Sequence, residues 1–324
     1  MEIRGKTILV TGGAGAIGTN LVRRLLEDAP DRVVVIDNQS SGLLAHLPVD
    51  GRVIPIAGDI RDEETLHSAF ETYQPQVVFH LAAQFANQKS VDHPVLDFET
   101  NVGGTLKLLK RAAQSNVERV IYVSSSCVYQ PTDKPMDDDL PPVATDTPYA
   151  ISKGVGEQYA GFYAHRGLPI TIVRLFNSFG PGEFPGRYRN VIPNFIGLAM
   201  QGKPLPITGT GDERRTFTFV GDVVDIMCRL AKNDEAVGQT VNLSSTNDVA
   251  IKELADMINR LTGNGAGVQL KPRRDWDAVT VRRPKLDKLT KLAGDFGRTT
   301  LEDGLRQTIA WANEHHNEFI RPIV

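Results

Sequence analysis

The stretch Lys6 to Gly18, KTILVTGGAGAIG, restricts the fold more than any other part of the chain. Thr7 to Val10 reads as a short buried strand, and Thr11 leads into a turn holding Gly12, Gly13, Gly15 and Gly18. Directly afterwards Ile17, Leu21, Val22, Leu25 and Leu26 recur at helical spacing. Strand, glycine turn and helix in that order make a cradle for a dinucleotide pyrophosphate. Gly12 permits the tight turn, Gly15 lets phosphate oxygens approach bare backbone, and Gly18 lets the helix lie against the strand. The helix start, at Ala16 and Ile17, adds N–H groups and partial positive charge.

The rhythm continues along the chain. Arg32 to Ile36 reads as a buried parallel strand ending at Asp37. That residue lies about 20 positions beyond the glycine turn, where a carboxylate accepts the ribose hydroxyls of the adenosine half. It would repel a 2′-phosphate, so NAD is expected rather than NADP, with Asn38 beside the ribose. Val53 to Ala57 is a third strand. After it, Asp59 can accept from the adenine amino group with Ile60 on the ring, or cap a helix starting near Arg61. Gln76 to Phe79 is a fourth strand, running into His80, Leu81, Ala82 and Ala83. The last three let a ligand approach the backbone, and His80 reads as an interior histidine rather than a catalyst.

Pro94 to Ser115 carries a long helical pattern with Asn101 and, mid-helix, Gly103 and Gly104. Each glycine costs about 1 kcal/mol relative to Ala, which makes sense if something packs close. Arg119 to Val123 is a fifth strand, ending in Ser124, Ser125, Ser126 and Cys127. A helix over 146–166 carries Tyr149 and Lys153, and a sixth strand, Ile170 to Leu175, ends at Phe176 and Asn177. Such alternation predicts an α/β fold with a Rossmann-type, doubly wound parallel sheet. The unusual residues all follow strand carboxyl ends, the edge where open parallel sheets bind ligands.

Beyond Ser178 the pattern changes. A Pro- and Gly-rich loop spans Gly180 to Arg187, a helix covers about 189–201, and Pro206 to Thr216 reads as a hairpin. Strands at Phe217 to Val220 and Thr240 to Leu243 flank a helix, and the tail from Ile251 is mostly helical around a basic loop at Lys271 to Arg283. The expected division is 1–177 plus about 218–247 for the dinucleotide, and 178–217 plus about 248–324 for a smaller, mostly helical substrate region.

The helix residues Tyr149 and Lys153 stand four apart and share one face. A tyrosine that acts as a base near neutral pH needs about three units of depression from its usual ~10, roughly 4 kcal/mol. An ammonium and a cationic nicotinamide ring can supply it in a partly desolvated crevice. Lys153 can also hold the nicotinamide ribose, and Ser125 can donate to the same substrate oxygen. The set suits oxidation of a secondary alcohol.

Bulk properties narrow the partners. A net charge of -3 gives no reason to expect nucleic acid. Two cysteines, Cys127 and Cys228, suggest no disulfide framework and a reducing cytoplasm. No apolar run approaches the ~18 residues of a membrane span, no signal peptide is evident, and no metal-ligand cluster stands out.

Together these motifs resemble the extended short-chain dehydrogenase/reductase family, in its nucleotide-sugar epimerase/dehydratase branch. The match rests on Thr11-Gly12-x-x-Gly15-x-x-Gly18, Asp59-Ile60, His80 to Ala83, Asn101-x-x-Gly104-Thr105, Ser124-Ser125 through Tyr129, Tyr149-x-x-x-Lys153, Arg174-x-Phe176-Asn177 with Gly180-Pro181-Gly182, Asn190 to Pro193, and Gly209-Thr210-Gly211 through Phe217. The resemblance implies a tightly held NAD, reduced and reoxidised within one turnover. It places Ser125, Tyr149 and Lys153 at catalytic positions. Val123, Phe176 and Asn101 fall along the cofactor. Asn177, Asn190 and Arg215 fall on the nucleoside diphosphate, with Arg274 as a second diphosphate contact and Ser126 and Cys127 toward the sugar. It further implies a homodimer through the helices near 94–115 and 146–166.

The branch's 4,6-dehydratases carry Asp-Glu where this chain has Ser126-Cys127, and its UDP-glucuronate decarboxylases carry a Glu nearby. The branch's cysteine-using 3,5-epimerases and epimerase/reductases pair that cysteine with a Lys or His near position 190, where this chain has Asn190-Val191. Cys127 therefore reads as packing, and a 4-epimerase of a UDP-hexose or UDP-hexuronate is expected. Gln130, where Gly is usual, and Thr216, where Asp is usual, depart from the pattern and bear on substrate identity. The rivals are an epimerase, epimerase/reductase or dehydratase of GDP- or dTDP-sugars using Cys127, and a catalytically idle NAD-binding scaffold.

Overall fold

The computed structural model describes residues 1–132, 134–273 and 281–320. The first half alternates β1 (Thr7–Thr11), α1 (Ala16–Glu27), β2 (Arg32–Asp37), β3 (Val53–Ala57), α2 (Glu63–Tyr73), β4 (Val77–His80), α3 (Asn87–Asp92), α4 (Pro94–Phe98), α5 (Thr105–Ala113), β5 (Arg119–Ser125), α6 (Pro148–Ala164) and β6 (Ile170–Leu175). The second half runs β7 (Asn177–Phe179), α7 (Val191–Met200), β8 (Leu205–Thr208), β9 (Arg214–Phe219), α8 (Val220–Lys232), β10 (Thr240–Leu243), β11 (Asp248–Ala250), α9 (Ile251–Thr262), β12 (Val268–Lys271), β13 (Val281–Arg282), α10 (Asp287–Ala293), α11 (Leu301–Glu314) and α12 (His316–Phe319).

Seven strands form one parallel sheet in the order β10-β6-β5-β4-β1-β2-β3. The period of two sends alternate side chains to opposite faces. Ile8 and Val10 pack with Leu21 and Leu25 of α1, Val223 and Met227 of α8, and Leu289 of α10. Leu9 and Val34 pack with Leu66 and Phe70 of α2, Leu108 of α5 and Ala160 of α6. Both faces are covered, so the central strands are mostly apolar, as is usual in parallel sheets. Among the described residues no helix is long and apolar enough to cross a membrane.

Several expectations change. The helical pattern from Pro94 is not one α-helix: Glu99–Gly104 forms a π-helical turn between α4 and α5. Of its two glycines only Gly104 meets a close neighbour. A Cβ there would lie 2.6 Å from the Ile60 side chain, whereas Gly103 faces open space. The expected hairpin at 206–216 does not form. β8 pairs in parallel with β12, and β9 pairs with β7, β11 and β13. β10 returns to the main sheet, but β9 does not. α10, expected in the smaller region, buries Leu289, Leu292 and Ala293 beneath the main sheet.

The helix bearing Tyr149 starts where the sequence permits it. Pro148 occupies the first helical turn, where a missing N–H costs nothing, and the Thr147 hydroxyl accepts from the Ala150 N–H at 3.2 Å. Gly156 then lets α6 close on β5, since a Cβ there would collide with the Tyr122 hydroxyl.

Candidate active site

The carboxyl ends of β1 to β6 open into a cavity of about 840 Å³, within the ~300–1,000 Å³ typical of ligand sites. On the dinucleotide side it is lined by Gly12, Gly15, Ala16, Ile17, Gly18, Asp37, Asn38, Asp59, Ile60, Leu81, Ala82, Ala83, Val123 and Phe176. Ser125, Ser126, Cys127, Tyr149, Lys153, Asn177, Asn190 and Arg215 also reach it. Asn101 does not. It is buried behind the wall, accepting from the Gln84 N–H at 2.7 Å and donating to Asp97 and Ser152. Its amide is taken up in holding that wall. Arg274 lies outside the described residues.

The glycine turn fits a dinucleotide. Gly12 has φ +71°, and a Cβ on it would lie 2.7 Å from the Ala82 nitrogen of the β4 loop. A Cβ on Gly18 would strike the Gly12 carbonyl. Gly15 caps α1 in an extended conformation with no side-chain cap, so the helix start keeps its N–H groups for a ligand. Asp37 ends β2 inside the cavity, its two oxygens accepting from the Ala14 N–H at 3.0 Å and the Gln39 N–H at 2.7 Å. Each oxygen retains a further lone pair for a ribose hydroxyl.

Asp59 lines the cavity and accepts from the Arg61 N–H at 2.8 Å. Burial works to raise its carboxyl, but hydrogen bonds from Arg61 and Asn38 outweigh it and hold the group at about 2. The cap of α2 is Asp62, which accepts from the Glu64 and Thr65 N–H groups. His80 is the interior histidine expected, bonded to Thr11 at 2.7 Å and Thr105 at 3.0 Å. Burial, helped by the nearby Lys153 charge, pushes its pKa down to about 3, so it stays neutral.

Tyr149 and Lys153 reach the cavity from one face of α6, both buried. The Lys153 ammonium donates to the Val123 carbonyl at 2.7 Å and sits 4.5 Å above the Tyr122 ring. Burial lowers it to about 8 against the pull of Glu157 and Asp97. Burial, then the neighbouring Cys127, raises the Tyr149 hydroxyl above its ordinary value, although a hydrogen bond with Ser125 opposes this. In this structure burial therefore outweighs the Ser125 hydrogen bond. The depression that base chemistry needs has to come from positive charge brought into the cavity. Ser125 also accepts from the Cys127 N–H at 3.1 Å, which fixes the end of β5. The Cys127 sulfur takes a 3.7 Å contact from Asn87, whose carbonyl oxygen accepts from Thr147.

The facing wall comes from the smaller region. Asn177 donates to the Thr216 carbonyl at 3.0 Å, Asn190 donates to Glu183 at 3.0 Å, and Arg215 donates to the Arg214 carbonyl at 2.9 Å. Sequence reasoning missed Glu183, Arg189, Lys89 and Arg282, which also line the cavity. Glu183 is a buried carboxyl raised by that burial. Arg282 donates to the Ser126 carbonyl at 2.7 Å, anchoring the Ser126-Cys127 segment from across the chain. The Pro- and Gly-rich loop hinted at Glu183 and the basic loop at Arg282, while Lys89 and Arg189 gave no signal.

The family described as NAD dependent epimerase/dehydratase matches residues 8–244. A UDP-N-acetyl-alpha-D-glucosaminuronate decarboxylase of Bacillus cytotoxicus is 34% identical, over 97% of this chain and 99% of its own length. An epimerase of Methanothermobacter thermautotrophicus superposes with a TM-score of 0.94 at 40% identity, covering 99% of this chain and 96% of that one. The UDP-glucose 4-epimerase of Thermotoga maritima, solved with UDP-glucose, superposes with a TM-score of 0.90 at 30% identity, over 96% and 99%.

Proposed function

Because this chain belongs to the NAD-dependent epimerase/dehydratase family and has NAD as its cofactor, we propose that it epimerises a UDP-linked hexose or hexuronic acid at C4. The observation that carries this reading is the convergence of Ser125, Tyr149 and Lys153 on one cavity, with Ser126 and Cys127 rather than acidic residues directly after Ser125. NAD, held by the glycine turn and Asp37, would supply a reversible hydride acceptor for C4. Tyr149 takes the proton from the C4 hydroxyl and later gives it back. Ser125 donates to the same oxygen and keeps it aimed at the phenol. Lys153, at about 8, is mainly an ammonium near neutral pH, and it favours the phenolate at the moment of transfer. Elimination of water across C5 and C6 would need a further acid and base that Ser126 and Cys127 do not supply. The UDP preference is supported by the ligand of the Thermotoga enzyme.

A second reading is favoured by the Bacillus relative: decarboxylation of a UDP-linked uronic acid. It shares the C4 oxidation, after which the C5 carboxylate stands β to a ketone and can leave as carbon dioxide. One experiment separates the two. UDP-, dTDP- and GDP-linked hexoses and hexuronates are incubated in deuterated water and the products followed by NMR. A C4 epimer of a UDP-sugar free of carbon-bound deuterium is expected. A pentose product would select decarboxylation, and deuterium at C3 or C5 would overturn C4 epimerisation.

The proposal extends to a homodimer paired through α4, α5 and α6. Val95 and Phe98 on one helix and Ile151 and Phe162 on the other are exposed apolar residues that support it. Sedimentation should give a dimer, and a monomer at micromolar concentration would contradict it.

A further inference from the structure

The Pro- and Gly-rich loop after β7 does not stay with the substrate wall. It crosses the mouth of the dinucleotide side and is tied down on the far bank. The Pro181 carbonyl accepts from Asn20 of α1 at 2.8 Å. Gly182, at φ +99°, lies so close to α1 that a Cβ would sit 3.2 Å from the Ala16 carbonyl. The Tyr188 hydroxyl donates to Asp92, at the end of α3, at 2.8 Å, and Arg187 reaches the same carboxylate at 3.3 Å. Arg189 closes the span by donating to the Ser41 carbonyl in the loop after β2.

That last anchor is placed over the phosphate cradle. Ser41 precedes Gly42, and a Cβ on Gly42 would overlap the Ala14 carbonyl and stand 2.8 Å from the Gly15 nitrogen. The Arg189 guanidinium thus hangs beside the glycine turn. It lines the main cavity and a side cavity of about 160 Å³, which it shares with Lys89 and Ser40. One buried carboxyl, Glu183, faces Arg189, and the Lys89 ammonium stands near the same guanidinium, so two cations meet one acid beside the glycine turn. A pyrophosphate lying on that helix start would meet N–H donors below and a guanidinium above. The planar fork of arginine matches phosphate oxygens, and a single bond to Ser41 leaves most of its donors unused.

We propose that residues 180–190 form a clasp over the bound dinucleotide and that Arg189 is a phosphate-binding residue of the cofactor site. The clasp is independent of which sugar reaction follows, since it concerns retention of NAD and not turnover. Its test is NAD release. Wild type, Arg189→Gln and Arg189→Ala, each loaded with NAD, are diluted into NAD-free buffer and the free nucleotide is followed over time. Loss of one charged contact to phosphate should speed release roughly tenfold to a hundredfold in both variants. Wild-type release should also quicken with added salt, and this response should shrink in the variants. Release from Arg189→Gln within twofold of wild type would overturn the phosphate contact, whatever Arg189→Ala does. A wild-type rate indifferent to salt would overturn it without any variant.

Discussion

The two walls of the cleft are assembled from different kinds of chain. On the dinucleotide side, β1 to β6 pair in one parallel sheet, and residues such as Gly12, Asp37 and Ser125 each follow or close a strand in chain order. On the facing side, β9 gathers β7 and β13 in parallel and β11 antiparallel, while β8 waits for β12. The first wall also stands on buried polar joints. Arg174 binds Glu157 at 2.7 Å, and Ser124 and Tyr129 complete the network. The second relies more on partly exposed pairs such as Arg214 with Asp248 at 3.0 Å. The difference teaches a division of labour. On the proposed function, the wall held by buried joints fixes where charge develops, and the wall held by partly exposed pairs receives the sugar nucleotide.

Mutations can break this contrast. The largest effect belongs to the first wall. Tyr149→Phe should lower kcat about a thousandfold while NAD stays bound, the loss expected for a positioned proton donor and acceptor. On the opposite wall Arg215→Ala should raise KM roughly tenfold to a hundredfold with kcat little changed, as for a uniform binding contact. If both changed kcat alone, the contrast would fail. Stability should divide the same way. Arg174→Met leaves Glu157 buried without its partner and should cost about 3–5 kcal/mol in urea unfolding. Arg214→Met should cost about 1 kcal/mol or less.

A smaller effect sharpens the picture. His80 is held at about 3 in the fold by burial and next by the Lys153 charge, against about 6.5 when unfolded. Between those values the unfolded chain binds more protons, so stability falls as pH falls through that window. At pH 5 this amounts to roughly 2 kcal/mol. His80→Gln should flatten the loss of stability between pH 6.5 and 5 by about that amount, and an unchanged slope would place the acid sensitivity elsewhere.

The two walls were also unequally legible in the sequence. Strand, turn and helix follow one another locally on the first wall, so β3 and β6 fall where their apolar runs predict, and Tyr149 and Lys153 share the expected face. Other features of that wall depend on tertiary surroundings that local sequence does not show. Asn101 turns inward because the Gln84 backbone and Ser152 take its amide. Tyr149 holds its proton because burial exceeds the effect of the Ser125 hydrogen bond. On the second wall, Leu205–Thr208 and Arg214–Phe219 look like a hairpin until the later strands β11 and β12 claim them. Arg189 gives no local signal at all, since its meaning depends on Ser41 across the cleft.

The most direct test of the central claim follows the hydrogen on C4. A UDP-hexose or UDP-hexuronate labelled with deuterium at C4 is converted in ordinary water, and the product is read by NMR and mass spectrometry. Tyr149, Ser125 and Lys153 acting on the C4 hydroxyl predict a C4 epimer that keeps its label at C4. An epimer that has lost the label to solvent, or one inverted at C3 or C5 instead, would contradict the account.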